Sequence, residues 1–281
     1  DVKTFTICYE CGKAMHRKCG KRLLSTKGLS AENRSSCPMC RATIVTQGSK
    51  EGVKRLQKWA ELGRPWAEFG LGNLYMQGNG VKEDPKRACE LLKLAADHGY
   101  HLAQFNLGIM YAKGKGVIQS DTLAFEYTKL CAEQGVARAQ SKVGTCYERG
   151  TGVAQSDTKA FKFFKLAADQ GDYNSQYNVA IFYDYGRGVI QSDELAFKFY
   201  KLAGEGGVAN AQLNVGLFYI KGKSVTQSFT KAREWWTKAA KQGNEAAINN
   251  LKKLDEHEGI KTTSSSSNFT DNSTVLCSKC N

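Results

Sequence analysis

Residues 139–153 read Ala139-Gln-Ser-Lys-Val-Gly144-Thr-Cys-Tyr147-Glu-Arg-Gly150-Thr-Gly152-Val153, and this pattern occurs five times at a constant spacing of 36 residues. A small residue recurs at positions 72, 108, 144, 180 and 216, with a tyrosine three positions after each. No insertion or deletion interrupts the register between about residue 64 and residue 243. A fixed period of this size is typical of stacked helical repeats, in which each unit covers an apolar face of its neighbour. The sequence therefore predicts an all-α protein of the αα-solenoid class.

Each unit is predicted to contain two helices, the first of which carries the small residue and the tyrosine. In the first unit, Ala67 and Gly72 allow a neighbouring helix to approach closely. The buried stripe of this helix consists of Leu71, Leu74 and Tyr75.

A loop with two glycines, Gly78 and Gly80 in the first unit, follows this helix, because glycine tolerates the positive φ values that such a turn needs. Val81 is expected to fill the gap between the two helices. The second helix begins behind an N-cap residue, with Pro85 at its first position in the first unit. The N-cap residues are Asp84, Ser120, Ser156, Ser192 and Ser228. The buried face of the second helix is Ala88, Leu91, Leu92 and Ala95 in the first unit and Ala232, Trp235, Trp236 and Ala239 in the fifth.

The last loop departs from the pattern, because Ser224 stands where the other units have their second loop glycine. If this position requires a positive φ, serine is strained there by about 1 kcal/mol. We therefore predict a positive φ at Ser224 and looser order in this loop.

The array resembles the Sel1-like repeat family, which is related to the tetratricopeptide repeat. The resemblance is carried by the motif Asn106-Leu-Gly108-Ile-Met-Tyr111-Ala-Lys-Gly114-Lys-Gly116-Val117 and extends over residues 51–256. Ala180 and Ser224 depart from it at positions where the family has glycine. The resemblance implies a superhelix of helix pairs that binds other proteins.

The register also predicts how the chain is divided. Residues 48–63 correspond to a half repeat and form a tethering helix, and residues 64–256 hold five full units and a polar capping helix. Residues 257–276 are rich in Ser and Thr, which predicts a disordered linker. Residues 1–47 and 277–281 carry cysteines at metal-ligand spacing.

Six potential metal ligands lie within the N-terminal segment. Paired thiolates two residues apart bind one tetrahedral zinc ion from a tight turn, and two such pairs complete a structural site. Metal binding would supply most of the folding free energy of so small a segment, on the order of 10 kcal/mol. The predicted zinc ligands are Cys8, Cys11, His16, Cys19, Cys37 and Cys40.

The sequence Cys37-Pro-Met-Cys40-Arg41 resembles the end of a RING finger, in which ligand pairs alternate between two zinc ions. The resemblance implies one site of Cys8, Cys11, Cys37 and Cys40, with His16 and Cys19 as half of another site. The usual second pair of a RING is Cys-x-His, which this chain does not match. The alternative is a site like a zinc knuckle, with Cys8, Cys11, His16 and Cys19 around one ion, which leaves the last pair without partners.

Cys277 and Cys280 form one more Cys-x-x-Cys pair after the linker. Two ligands do not close a tetrahedral zinc site, so we interpret this pair as the opening of a second finger, of the MYND type. The alternative is an exposed redox pair.

The formal net charge is +13, and residues 1–60 hold +9 of it, with 13 Lys and Arg against 4 Asp and Glu. Basic residues around a small zinc module are usually a solvated surface, so nucleic acid is not the expected partner. The sequence contains no run of 18 or more apolar residues, so no membrane span is predicted. Cysteines at metal-ligand spacing favour a reducing compartment, and we expect a cytoplasmic or nuclear protein. The chain starts at Asp1 rather than Met, so we expect a fragment or a processed chain.

The sequence shows no catalytic set, and no intrinsic active site is expected. Ser156-Asp-Thr-Lys159 and Ser228-Phe-Thr-Lys231 match a Ser-x-x-Lys motif, but both begin at the N-cap position and lack its companion motifs. His98 and His101 have no carboxylate or thiol at a suggestive spacing and are interpreted as surface or packing residues. Cys89, Cys131 and Cys146 lie in repeat helices and are predicted to be buried.

A solenoid offers an extended surface that suits a protein segment better than it encloses a small substrate. We therefore predict a zinc-binding scaffold or adaptor whose repeats bind protein partners. The alternative is a RING-type E3 ubiquitin ligase, in which the repeats select the substrate and the RING-like module binds a ubiquitin-conjugating enzyme. Because repeat surfaces diverge freely, the sequence identifies no contact residue on them.

Overall fold

A computed structural model describes residues 5–7, 14–16, 49–257 and 259 of the chain. These residues contain one two-stranded antiparallel sheet and twelve α-helices. Strand β1 is Phe5–Ile7 and strand β2 is Ala14–His16, with Phe5 opposite His16 and Ile7 opposite Ala14. The helices are α1 (Lys50–Glu61), α2 (Pro65–Gln77), α3 (Pro85–Asp97), α4 (His101–Lys113), α5 (Asp121–Glu133), α6 (Ala137–Arg149), α7 (Asp157–Asp169), α8 (Tyr173–Tyr185), α9 (Asp193–Glu205), α10 (Ala209–Lys221), α11 (Phe229–Ala240) and α12 (Glu245–His257).

The chain divides into two compact units, residues 1–199 and 200–281, and the division falls inside α9. In the first unit, each of the helices α1 to α7 packs against the next one in sequence. In the second unit, α10 packs against α11 and α11 against α12. The predicted all-α repeat of helix pairs is therefore confirmed within each unit.

The second helix of each repeat begins where its N-cap residue predicts. The side chain of Asp84 accepts a hydrogen bond from the backbone N–H of Arg87 at 2.9 Å, and Pro85 occupies the first helical position. The hydroxyl oxygens of the other four caps accept equivalent bonds at 3.2 to 3.4 Å; these caps are Ser120, Ser156, Ser192 and Ser228. Each cap contributes about 1 kcal/mol to the stability of its helix. Both Ser-x-x-Lys matches are thus helix caps.

The loops between paired helices depend on residues that accept a positive φ. A Cβ atom at Gly152 would lie 2.1 Å from the carbonyl oxygen of Asp121, so only glycine lets this loop approach the start of α5 so closely. Ser224, which replaces the equivalent glycine in the last loop, has a φ of 57°. The predicted positive φ at Ser224 is confirmed.

The core consists of small residues facing large ones on neighbouring helices. A Cβ atom at Gly144 of α6 would lie 2.7 Å from the ring of Phe164 of α7, so the two helices meet at a distance that a larger residue would prevent. Val81 packs against the buried cluster of the first helices, as predicted. The predicted apolar faces Ala88, Leu91, Leu92 and Ala95, and Ala232, Trp235, Trp236 and Ala239, are buried. Among the described residues, no helix is both long and apolar enough to cross a bilayer.

Candidate protein-binding groove

The first unit contains an open groove of about 670 Å³ between the helices of its second and third repeats. We call it the α4–α6 groove, because most of its lining comes from α4, α5 and α6. The residues that line it are Phe105, Gly108, Ile109, Ala112, Lys113, Asp121, Ala124, Phe125, Thr128, Arg138, Ser141, Lys142, Thr145, Cys146, Arg149, Thr151, Asp172 and Asn174.

The floor of the groove is shaped by the close approach of α4 and α5. A Cβ atom at Gly108 would lie 2.5 Å from Oγ1 of Thr128, so glycine permits this approach. The Thr128 hydroxyl is buried and donates a hydrogen bond to the carbonyl oxygen of Ala124 at 2.6 Å. Phe105 and Ile109 of α4 lie half-buried beside this floor. The floor thus offers apolar surface, and the hydroxyl of Thr128 is already hydrogen-bonded within α5.

Four cationic side chains surround this floor, and all four are exposed: Lys113, Arg138, Lys142 and Arg149. None of them forms an ion pair with another described residue. The guanidinium carbon of Arg138 lies 5.3 Å from the ring centroid of Phe105, within the range of a cation–π contact. This contact holds the guanidinium over the groove while its N–H donors stay available.

Two carboxylates also border the groove. Asp172 caps α8, and its carboxylate accepts a hydrogen bond from the backbone N–H of Ser175 at 2.7 Å. Asp121 is exposed in the first turn of α5. The groove therefore keeps an excess of two positive charges.

The thiols of Cys146, in the groove, and of Cys131, in α5, are poorly suited to covalent chemistry. Cys146 lines the groove but is buried, and burial raises the pKa of its thiol. Burial likewise raises the pKa of Cys131 to about 11. Because the thiolate is the reactive form, both cysteines are poor nucleophiles near neutral pH. Cys89, Cys131 and Cys146 are all free and buried, as predicted.

The structure also contains a buried set of glutamines that the sequence analysis missed. In the first unit the side-chain amides of Gln104, Gln140 and Gln176 donate to the carbonyl oxygens of Ala96, Ala132 and Ala168, at 3.2 to 3.3 Å. In the second unit, Gln212 makes the same bond to Gly204 at 2.9 Å. Each bond ties the first helix of a repeat to the end of the helix before it. Glutamine at 36-residue spacing was the available signal.

Three of these four glutamines also accept a hydrogen bond from a second glutamine, which lies 30 residues later in the sequence. Its amide donates to the side-chain oxygen of the first at 2.7 to 2.9 Å, in the pairs Gln104 with Gln134, Gln140 with Gln170, and Gln212 with Gln242. The side-chain oxygen of Gln176 is buried without a hydrogen-bond partner among the described residues. At the position where the donor glutamine is expected from the register, the sequence has Gly206, which carries no side chain.

In the first repeat, Glu68 and His98 replace the glutamine pair. His98 is exposed, as predicted, but the sequence analysis missed its contact with Glu68. It found no carboxylate near His98 in sequence, but the fold places Oε2 of Glu68 at 3.1 Å from Nδ1 of His98. Glu68 is only 2% exposed. The two residues are 30 positions apart, so only the packing of successive helices brings them together.

Loop side chains join neighbouring repeats of the first unit by ion pairs. The guanidinium of Arg187 donates to carboxylate oxygens of Asp157 at 2.9 Å and of Glu148 at 3.0 Å, and lies 4.6 Å from the ring centroid of Phe182. Hydrogen bonding to Asp157 is the main cause that raises the pKa of Arg187. Lys115 makes a similar link, with its Nζ 3.1 Å from a carboxylate oxygen of Glu83.

The predicted zinc ligands lie outside the described residues, except for the backbone of His16 in β2. The residues concerned are Cys8, Cys11, Cys19, Cys37, Cys40, Cys277 and Cys280. Among the residues that the structure does describe, no group of three or more His, Cys, Asp or Glu side chains could hold a metal ion. The zinc sites therefore stay predictions.

Comparison with known proteins identifies the repeat. The family profile of the Sel1 repeat matches five times, at residues 67–100, 101–136, 137–172, 174–208 and 209–244. No curated protein sequence matches the chain. Among solved structures, a protective antigen of uropathogenic Escherichia coli with an SLR fold is 31% identical, with a TM-score of 0.72 over 76% of this chain and 46% of that one. A Sel1 repeat protein from Oxalobacter formigenes is 29% identical, with a TM-score of 0.65 over 75% of this chain and 84% of that one.

This chain thus spans less than half the length of the Escherichia coli antigen. The five matched segments follow one another through the whole repeat region and coincide with the helix pairs seen in the structure. The chain therefore belongs to the Sel1 repeat family.

Proposed function

We propose that the chain is a protein–protein interaction scaffold and that a partner protein binds in the α4–α6 groove. The observation that carries this proposal is the groove itself, which combines a half-buried apolar floor with four cations that lack an ion-pair partner. Helical repeats present such surfaces to other proteins without a further domain. The groove is open, so it suits a segment of chain that enters from the side.

The chemistry of the lining favours recognition over catalysis. The described residues around the groove include no His or Glu, and burial raises the pKa of its one thiol, Cys146. General acid–base catalysis needs a group that titrates near the working pH and reaches the reacting atom. Exposed cations and apolar side chains bind and orient a partner instead.

Site-specific photo-cross-linking tests the proposal. A photoreactive phenylalanine analogue replaces Ser141, which is half-exposed in the groove, in the full-length protein expressed in cells. The control position is Lys162, which is exposed on α7 away from the groove. We expect discrete cross-linked protein bands from position 141 and none of these bands from position 162. Identical band patterns from the two positions, or none from position 141, would contradict the proposal.

We further propose that the terminal cysteine pairs bind zinc and recruit other proteins to the scaffold. The spacing of Cys8, Cys11, Cys37 and Cys40 supports a first zinc site. The resemblance to a RING finger implies that His16 and Cys19 belong to a different zinc ion from Cys8.

Elemental analysis of the purified full chain tests the zinc sites. We expect bound zinc in the wild type and a loss of about one zinc per chain in Cys37→Ser, because the first site then lacks one of its four thiolates. Cys89→Ala is the matched control, since Cys89 is buried in α3. A wild-type protein without zinc, or an unchanged zinc content in Cys37→Ser, would contradict this assignment.

The second candidate function is a RING-type E3 ubiquitin ligase, which the Cys37-Pro-Met-Cys40-Arg41 sequence favours. In this role the module would bind a ubiquitin-conjugating enzyme, and the repeats would bind the substrate. An in vitro autoubiquitination assay with a panel of conjugating enzymes tests it. Ubiquitin chains that require Cys37 would support this function, and their absence with every enzyme of the panel would oppose it.

A further inference from the structure

The cations of the α4–α6 groove are arranged along one face of α6. Arg138, Lys142 and Arg149 are separated by four and seven residues, and both spacings return to the same face of a helix of 3.6 residues per turn. Thr145, which also lines the groove, lies on that face between Lys142 and Arg149. The cations therefore form a row that points into the groove.

The length of this row defines the length of a matching ligand. Arg149 lies eleven positions after Arg138 in the helix, which corresponds to a rise of about 16.5 Å. An extended peptide advances about 3.3 Å per residue, so about five residues span the row. A single metabolite with one carboxylate would reach only part of it.

Two of these charges, those of Arg138 and Lys142, are specific to the third repeat, whereas Arg149 has Lys113 as its equivalent in the second repeat. The fold does not need the charges of Arg138 and Lys142, because the equivalent positions are uncharged in the units on either side. The equivalents of Arg138 are Leu102 and Asn174, and those of Lys142 are Asn106 and Asn178.

The groove cations also form no ion pair with another described residue. Elsewhere in the first unit, cations pair with neighbouring carboxylates, as Lys165 does with Asp169 and Arg187 with Asp157 and Glu148. Of the two carboxylates at the groove, Asp172 already caps the N-terminus of α8. The single charge of Asp121 does not balance the four cations. An anionic ligand would complement this imbalance.

The apolar part of the groove adds a second requirement. Phe105 and Ile109 lie half-buried on α4, one turn apart, opposite the cationic row of α6. The contact of Arg138 with the Phe105 ring brings the apolar surface and the first cation together. A ligand that uses both therefore carries an apolar side chain as well as acidic ones.

We propose that the α4–α6 groove binds an extended acidic protein segment of about five residues. Its carboxylates face Arg138, Lys142 and Arg149, and one apolar side chain packs on Phe105 and Ile109. This inference rests on the proposed interaction function and adds the chemistry of the partner.

Fluorescence polarisation with the purified full chain tests this proposal. The probes are a labelled Asp-Glu-Leu-Glu-Asp-Glu peptide and its amide counterpart Asn-Gln-Leu-Gln-Asn-Gln. We expect the acidic peptide to bind at least tenfold more tightly. Its affinity should also fall as the salt concentration rises, because salt screens exposed charges.

Paired variants show where the peptide binds. Arg138→Gln with Lys142→Gln should weaken acidic-peptide binding at least tenfold. The matched control, Lys162→Gln with Lys198→Gln, removes the same charge from exposed positions outside the groove and should change affinity less than twofold. Circular dichroism of each variant confirms that the helices are intact.

Several results would overturn the proposal. These are equal binding of the acidic and amide peptides, absence of binding to both, and an equal loss of affinity in the two double variants. Tighter binding of a phosphoserine peptide or of a single-stranded RNA oligonucleotide would assign the groove to that chemistry instead. If position 141 cross-links a protein while acidic peptides fail to bind, the scaffold function stands and only the partner class is wrong.

Discussion

At the scale of single residues, the buried glutamines show how one side chain joins two repeats. Gln140 donates to the carbonyl oxygen of Ala132 and accepts from Gln170. Gln176 makes the first of these bonds, to Ala168, but its oxygen has no partner among the described residues. The two positions are therefore equivalent in the repeat but unequal in hydrogen bonding.

This inequality predicts different costs for the same substitution. Gln140→Met removes two hydrogen bonds and should lower the free energy of unfolding by about 2 kcal/mol, whereas Gln176→Met removes one and should cost about 1 kcal/mol or less. Methionine is the replacement because it is unbranched and adapts to the space of glutamine. Chemical denaturation of both variants measures the difference. Equal losses, or a larger loss for Gln176→Met, would show that the second bond contributes nothing.

The residue scale also shows what the sequence could reveal. The N-caps, such as Ser156, and the positive φ at Ser224 were predictable, because each depends on the local backbone within one turn. The pairing of Glu68 with His98 was not, since it joins a residue of α2 to a residue 30 positions later, at the C-terminal end of α3. The recurrence of Gln104 and Gln140 at the repeat period was the one sign that these positions share a structural role.

At the scale of elements, the loops determine how closely successive repeats approach. Gly152 and Gly171 both have a positive φ, of 70° and 86°. A Cβ atom at Gly152 would meet the carbonyl oxygen of Asp121 at 2.1 Å, whereas a Cβ at Gly171 would meet nothing within 4 Å. The first glycine therefore serves close packing as well as backbone conformation.

Alanine substitution separates these two effects. Gly171→Ala should cost only the strain of a positive φ, about 1 kcal/mol. Gly152→Ala should lower the free energy of unfolding by about 2 kcal/mol more, because the loop and the start of α5 must move apart. Thermal and chemical denaturation of the two variants give this difference. If both variants lose the same stability, the loop does not depend on close contact with α5.

At the scale of the whole molecule, the 36-residue period predicted the helix pairs and their buried faces, but it did not predict the groove. Periodicity shows which side of α6 faces the core, whereas the groove is lined jointly by residues of α4, α5 and α6. The four cations were visible in the sequence, yet nothing in their spacing showed that Lys113 and Arg138 border one space. The zinc ligands remain predictions from their spacing alone.

The central claim is that the α4–α6 groove binds an acidic protein segment, and mass spectrometry of the segment cross-linked from position 141 tests it most directly. We predict a segment rich in Asp and Glu. We also predict that its yield falls at least fivefold in Arg138→Gln with Lys142→Gln but not in Lys162→Gln with Lys198→Gln. A neutral or basic segment, or an unchanged yield in the groove variant, would contradict the claim.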